Sequence, residues 1–236
     1  SNVTGAIQPV EEVGGIAAER GVPFLVDAAQ TAGHLPIDVE RLRISFLACS
    51  GHKGLLGPLG TGILYVRPGL EGELGPLRQG GTGSASEDET VAVRGPDRYE
   101  AGNHNAPGLV GLAAAIDWIL EQGLESLRSQ EVVHTGRLLD GLQKLRGVSV
   151  PGPAAAEARV GTVSFQLEGL DPQTTASLLE TEFGIESRAG LHCAPRMHAA
   201  LGTLSSGGTV RLSTGPFTTN EEIDAALQAV QCLAGA

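Results

Sequence analysis

Short apolar runs that end on polar residues, with helical or turn segments between them, constrain this chain most. Val22–Val26 is closed by Asp27, Ile44–Ala48 runs up to Cys49 and Ser50, and Gly62–Val66 makes a third run. Runs of this length without alternation fit strands buried on both faces. Ahead of them, Val10, Val13, Ile16 and Ala17 recur at helical spacing between Pro9 and Arg20. Pro9 suits the first turn of that helix and Gly21 its stop. Helix and strand in alternation predict an open α/β sheet, whose ligands gather at the carboxyl ends of the strands.

Residues 69–98, including Gln79-Gly-Gly-Thr-Gly-Ser84, have no sustained period and read as a long functional or interfacial loop, or as partly disordered. Pro107–Leu120 and Glu125–Leu145 read as helices separated at Gly123, which places a boundary between a first domain, 1–122, and a second, 123–236. Val160–Leu167 is predicted as a strand, and Asp171-Pro172 opens a helix that Gly184 ends. Glu186–Arg188 and Thr209–Ser213 read as short strands, and Thr219 with Glu222 forms a capping box for the last helix. The second half is thus a smaller α+β unit, and the chain has no solenoid repeat.

Composition removes several function classes. The 236 residues are 41% hydrophobic and 18% charged, the balance of a globular protein. A net charge of −11 opposes binding to a phosphate backbone, so nucleic acid is not expected as a partner. The longest apolar region, Leu109–Leu120, is broken by Asp117, so no membrane span is expected. Cys49, Cys193 and Cys232 are odd in number and widely spaced, which argues against a disulfide framework or a cysteine-type zinc site and fits a reducing cytoplasm. No metal site is expected. The chain starts at Ser1 without a signal-peptide pattern, as if cut from a longer one.

Only two lysines are present, Lys53 and Lys144. Lys53 follows a buried strand in Ser50-Gly-His-Lys-Gly-Leu-Leu-Gly57, where desolvation would favour a neutral amine able to form a Schiff base. The segment reads equally as a surface lysine in a Gly-rich turn, and it lacks the residue order of a phosphate-binding P-loop. Asp27, one strand earlier, is placed to keep a pyridine nitrogen protonated, or simply to stabilise a turn. In a parallel sheet the two converge on one edge.

These segments stand in a recognisable order with others: Ser1-Asn-Val-Thr-Gly5, Val26-Asp-Ala-Ala-Gln30, Ser50-Gly-His-Lys53, Gly60-Thr-Gly62, Tyr99-Glu-Ala-Gly102, Arg188-Ala-Gly-Leu-His-Cys-Ala-Pro195 and Arg211. The chain resembles the class V aminotransferase-fold enzymes, and within them the cysteine desulfurase branch. The resemblance implies the type I fold of enzymes that use pyridoxal 5'-phosphate (PLP): part of a large domain with a mostly parallel sheet, followed by a complete small domain. It implies that Lys53 carries the cofactor as a Schiff base and that Asp27 pairs with the pyridine nitrogen. Gln30 would face the ring hydroxyl, and Ser50 and His52 would bind the phosphate. Asn2, Arg211 and Arg188 would hold the amino-acid carboxylate.

Cys193 is the nucleophile the resemblance implies. Beside His192, with Arg188 and Arg196 near in sequence, its setting favours thiolate. By residue type alone it reads as a small core residue, as do Cys49 and Cys232. The implied reaction removes sulfur from cysteine, leaving alanine and a persulfide on Cys193 for a sulfur-acceptor protein, and the implied assembly is a homodimer. Selenocysteine lyase, another aminotransferase or epimerase of the same fold, and a non-catalytic fragment are the alternatives. Two departures stand out. Asn103 replaces the threonine that usually follows Glu-Ala-Gly, and roughly the first third of the family's chain is absent.

Overall fold

The computed structural model describes residues 1–81 and 96–235. The chain divides into two compact units, one formed by Pro9–Gln122 and the other by Ser1–Gln8 together with Gly123–Ala236.

In the Pro9–Gln122 unit, helix α1 (Val10–Glu19) precedes strands β1 (Leu25–Asp27), β2 (Phe46–Ser50) and β3 (Gly62–Val66). The strands form one sheet in the order β1-β2-β3. The mostly parallel sheet expected from the sequence is corrected here to a mixed one: β1 and β2 are parallel, whereas β2 and β3 are antiparallel. The physical reason is the connection, because the turn between β2 and β3 is too short for a parallel crossover. The face of α1 also differs from expectation. Val13 and Ile16 are exposed, and the helix approaches the loop before β2 through Gly14, where a Cβ would lie 2.2 Å from the Leu42 carbonyl oxygen. Ala28, Ile44 and Leu47 form the small buried core. Helix α2 (Ala106–Gln122) closes the unit. Of the loop expected over 69–98, residues 82–95 lie outside the described residues. At its far end Tyr99 is tied back by a hydrogen bond from its hydroxyl to the Glu71 carbonyl.

The second unit contains α3 (Leu124–Gln143), β4 (Val148–Ser149), β5 (Thr162–Leu167), α4 (Pro172–Phe183), β6 (Arg188–Gly190), α5 (Pro195–Leu201), β7 (Thr209–Ser213) and α6 (Asn220–Ala234). The strands are ordered β4-β5-β7-β6. Alternate residues of β5 and β7, Val163, Phe165, Val210 and Leu212, pack with α3, α4 and α6 into the main core. Local signals set the helix ends. Asp171 accepts from the amides of Gln173 and Thr174, Gly184 ends α4 in the left-handed region, and the Thr219–Glu222 capping box is formed.

The opposite face of β5 is covered by the first residues of the chain. The Ser164 hydroxyl donates to the Val3 carbonyl at 2.5 Å, and the Val160 amide donates to the Gly5 carbonyl. Arg159, fully buried, clamps this strap through three carbonyl groups, those of Thr4, Pro151 and Pro153. Ser164 is therefore buried although it alternates with the core residues of its strand. Among the described residues no helix is long and apolar enough to cross a membrane, and no cluster of His, Cys, Asp or Glu fits a metal ion.

Candidate active site

In the Pro9–Gln122 unit the candidate cofactor residues collect at one sheet edge. Asp27, the last residue of β1, pairs with Ala48 in the parallel ladder, two residues before Ser50 ends β2 at the same edge. Asp27 accepts the amide of Ala29 at 2.9 Å, which starts the turn carrying Gln30. The turn after β2 is closed by the Leu56 amide donating to the Lys53 carbonyl and the Gly57 amide to the Gly51 carbonyl, both at 2.8 Å. The two turns touch where Gly33, at φ 86°, lies against Gly54. A Cβ on Gly33 would stand 2.0 Å from the Gly54 carbonyl oxygen. Backbone contact this close brings Lys53 beside the Asp27–Gln30 turn.

Lys53, His52 and Asp27 are exposed, and Ser50 and Gln30 are half-buried. The desolvation expected for Lys53 is therefore not supplied by its own unit. The side chains of Gln30, Ser50, His52 and Lys53 make no hydrogen bond or ion pair among the described residues. Two adjoining turns thus carry an amine, a hydroxyl, an imidazole, an amide and a carboxylate, a set whose chemistry fits an aldehyde, a phosphate and a protonated pyridine. Cys49 differs: burial, and secondarily nearby Asp27, push its thiol up, offset in part by a backbone hydrogen bond to Ile63.

The second unit carries Cys193. Ser164 on β5, Arg211 on β7 and Arg188 on β6 are consecutive partners across the sheet, forming one row on one face. The strap crosses this row. Arg211 donates through Nη1 to the Asn2 carbonyl at 2.9 Å, and the Asn2 side-chain amide donates to the His192 carbonyl at 2.5 Å. His192 and Cys193 both adopt left-handed backbone angles, φ 49° and 60°. That conformation costs about 1 kcal/mol or more per residue outside glycine and persists only where surroundings impose it. Here they do. The buried His192 ring meets the Thr209 hydroxyl at 2.9 Å through Nε2, and the Ala194 amide closes the turn on the Leu191 carbonyl at 2.8 Å. The turn leaves Cys193 exposed, with Arg188 Nη2 donating to its Sγ at 3.3 Å.

Burial, and then the charges of Arg211, His198 and Arg188, lower the His192 imidazole from 6.5 to about 4, so the ring is neutral at physiological pH. Arg211 is likewise lowered by burial and by Arg188, with Cys193 acting in the opposite direction.

A profile of the family described as Aminotransferase class-V matches residues 1–226. The chain belongs to that family. This class-V aminotransferase chain is 37% identical, over its whole length, to a probable cysteine desulfurase of Methanothermobacter thermautotrophicus, of which it covers 59%. It is 36% identical over 95% of its length to a cysteine desulfurase of Salmonella agona, of which it covers 54%. Among solved structures it matches the apo cysteine desulfurase of Thermococcus onnurineus with a TM-score of 0.90 and 38% identity, covering 100% of this chain and 58% of that one. An Escherichia coli cysteine desulfurase follows at a TM-score of 0.85 and 32% identity, covering 98% of this chain and 56% of that one. The class-V chain thus spans somewhat over half the length of these relatives. Their structures are of the type I PLP fold, and the α/β class read from the sequence holds.

The structure groups Asp27, Gln30, Ser50, His52 and Lys53 in one unit of the class-V chain, and Asn2, Arg188, Arg211 and Cys193 in the other. Cys232 lies on the exposed side of α6 rather than in the core. Sequence reasoning missed Thr209 and Ser164, which support the Cys193 turn and the strap. Alternation offered a signal: Val210 and Leu212 face the core, which turns Thr209 and Arg211 to the other face. No comparable signal marked Arg159, whose three carbonyl partners come from distant segments.

Proposed function

We propose that this chain forms most of a PLP-dependent cysteine desulfurase that removes sulfur from L-cysteine to give alanine and a persulfide on Cys193. The observation that carries the reading is Cys193 itself, exposed on a rigidly supported left-handed turn with a guanidinium at its sulfur. A cysteine kept for packing would need neither feature. The names of the relatives point the same way.

PLP, when bound, supplies an electron sink for charge that develops at the substrate α-carbon. Lys53 would hold its aldehyde, Asp27 its pyridine nitrogen, Gln30 its ring hydroxyl, and Ser50 and His52 its phosphate. Asn2 and Arg211 orient the substrate through its carboxylate, a role suited to the fork of a guanidinium. Lys53, with its unpaired amine, moves a proton at the substrate α-carbon. Cys193 Sγ attacks the substrate sulfur. An S–S bond forms, the C–S bond breaks with its electron pair left on carbon, and protonation there yields alanine.

On this reading residues 1–122 are the later part of the cofactor-binding large domain and 123–236 the small domain, although the strap 1–8 packs with the latter. The enzyme works in a reducing cytoplasm as a homodimer, hands sulfur to an acceptor protein, and lacks the usual threonine at Asn103.

The test uses the full-length protein reconstituted with PLP. Cys193→Ser lowers alanine release from cysteine at least about a hundredfold while cofactor absorbance persists, and Lys53→Ala loses that absorbance. Turnover unchanged in Cys193→Ser, or keto-acid exchange as the main activity, would overturn the reading.

A further inference from the structure

We propose that Arg188, which the family resemblance groups with the carboxylate-binding residues, instead holds the reacting sulfur of Cys193. The proposal rests on the desulfurase reading and deepens it.

Arg188 and Arg211 face each other directly in the β6–β7 ladder, an arrangement that is unfavourable for two like charges unless anions accompany them. Neither belongs to the ion pairs formed among the described residues, which join Arg41 to Glu11, Arg128 to Glu131 and Arg137 to Asp224. Their surroundings differ. Arg211 is half-buried, spends Nη1 on the Asn2 carbonyl, and keeps a buried Nε without a hydrogen bond. It is a fixed cation with donor capacity in reserve beside the strap. Arg188 is exposed, and Nη2 is directed at Sγ of Cys193.

The backbone on either side of this contact is held in place. Cys193 is delivered by a turn fixed at three points: the Asn2 amide on the His192 carbonyl, the His192 ring on Thr209, and the Ala194 amide on the Leu191 carbonyl. The backbone of Arg188 is fixed by the ladder to β7. Both backbones are thus anchored on β7, and between them a donor and a sulfur stand 3.3 Å apart.

A guanidinium suits the task. During transfer the Sγ–S bond forms, the substrate C–S bond breaks with its electron pair left on carbon, and carbon takes up a proton. The substrate thiol proton goes to solvent, so the charge that began on Sγ ends on the outer sulfur. A fork with several coplanar N–H groups can donate first to Sγ and then to its neighbour without leaving its strand, which a point-like ammonium does less well.

The experiment follows the rate of alkylation of Cys193 by iodoacetamide at neutral pH in the full-length protein without substrate. Peptide mass analysis separates Cys193 from Cys232, which is also exposed. In Arg188→Gln the alkylation rate at Cys193 changes about three- to tenfold, because the sulfur has lost the N–H group that holds it. Arg188→Lys, which keeps the charge and leaves the fold intact, restores most of the rate. In steady state Arg188→Gln lowers kcat with KM for cysteine within about threefold of the parent, whereas Arg211→Gln raises KM at least about tenfold. An unchanged alkylation rate at Cys193 in Arg188→Gln, or a KM increase matching that of Arg211→Gln, overturns the proposal. Alkylation needs no turnover. A protein that releases no alanine from cysteine, yet whose Cys193 still responds to residue 188, refutes the desulfurase reading and not the contact.

Discussion

At the scale of single residues, burial decides which charges matter. Arg159 is fully buried and answered by three backbone carbonyls, with no ion pair to a carboxylate among the described residues, a cation used as a clamp between the strap and the 151–153 turn. Burial accordingly lowers its guanidinium. Replacing it by Met strands three acceptors, so Arg159→Met should cost about 3 kcal/mol or more. Removing the exposed Arg41–Glu11 pair should cost no more than about 0.5 kcal/mol. Urea unfolding midpoints of the two variants check the ranking, and equal losses would show that the clamp contributes nothing special. Because the strap supplies Asn2, Arg159→Met should also loosen the Cys193 turn, read as a changed alkylation rate for that thiol.

At the scale of elements, two turns at the ends of β1 and β2 are built as one piece. Gly33 and Gly54 approach so closely that neither turn could keep its course with a side chain between them. Gly33→Ala combines a left-handed backbone with a clash against the Gly54 backbone. It should destabilise the unit by about 2 kcal/mol and weaken PLP retention, since the clash displaces the residues next to Lys53. Spectrophotometric titration with PLP, set beside thermal unfolding, checks both effects, and normal retention would sever the link drawn between the turns and the cofactor. The same scale explains what the sequence disclosed of the elements. Caps at Asp171, Gly184 and Thr219 act within a few residues and were readable. The inward side of α1 was not, because a glycine at the contact carries no hydropathy signal.

At the scale of the whole molecule, acid sensitivity follows from the buried imidazole under the Cys193 turn. The folded protein holds His192 near 4, below its ordinary 6.5. The unfolded chain therefore binds the proton more readily between these values. The stabilising contribution is complete above about 6.5 and is lost as pH falls toward 4, a loss of roughly 2–3 kcal/mol. Burial lowers His198 in the same direction. Denaturant unfolding at about pH 7 and about pH 5 should show the parent losing more stability than His192→Gln, and parallel losses would refute the assignment. The candidate cofactor residues lie in the Pro9–Gln122 unit, and Cys193 with Arg188, Arg211 and Asn2 lies in the other.

The sequence by itself determined the order of elements, the helix caps, the strand-end places of Asp27 and Lys53, and the likeness to class V aminotransferases. Each of these depends on neighbours in the chain or on ordered motifs. Tertiary structure alone decided that β3 returns antiparallel, that the first eight residues cover the far face of β5, that Lys53 is exposed, and that Arg188 rather than Arg196 meets Cys193. These outcomes depend on contacts between distant segments: Arg159 with Thr4, Asn2 with His192, Arg211 with Asn2. No local pattern encodes a hydrogen bond that spans 155 to 209 residues of chain.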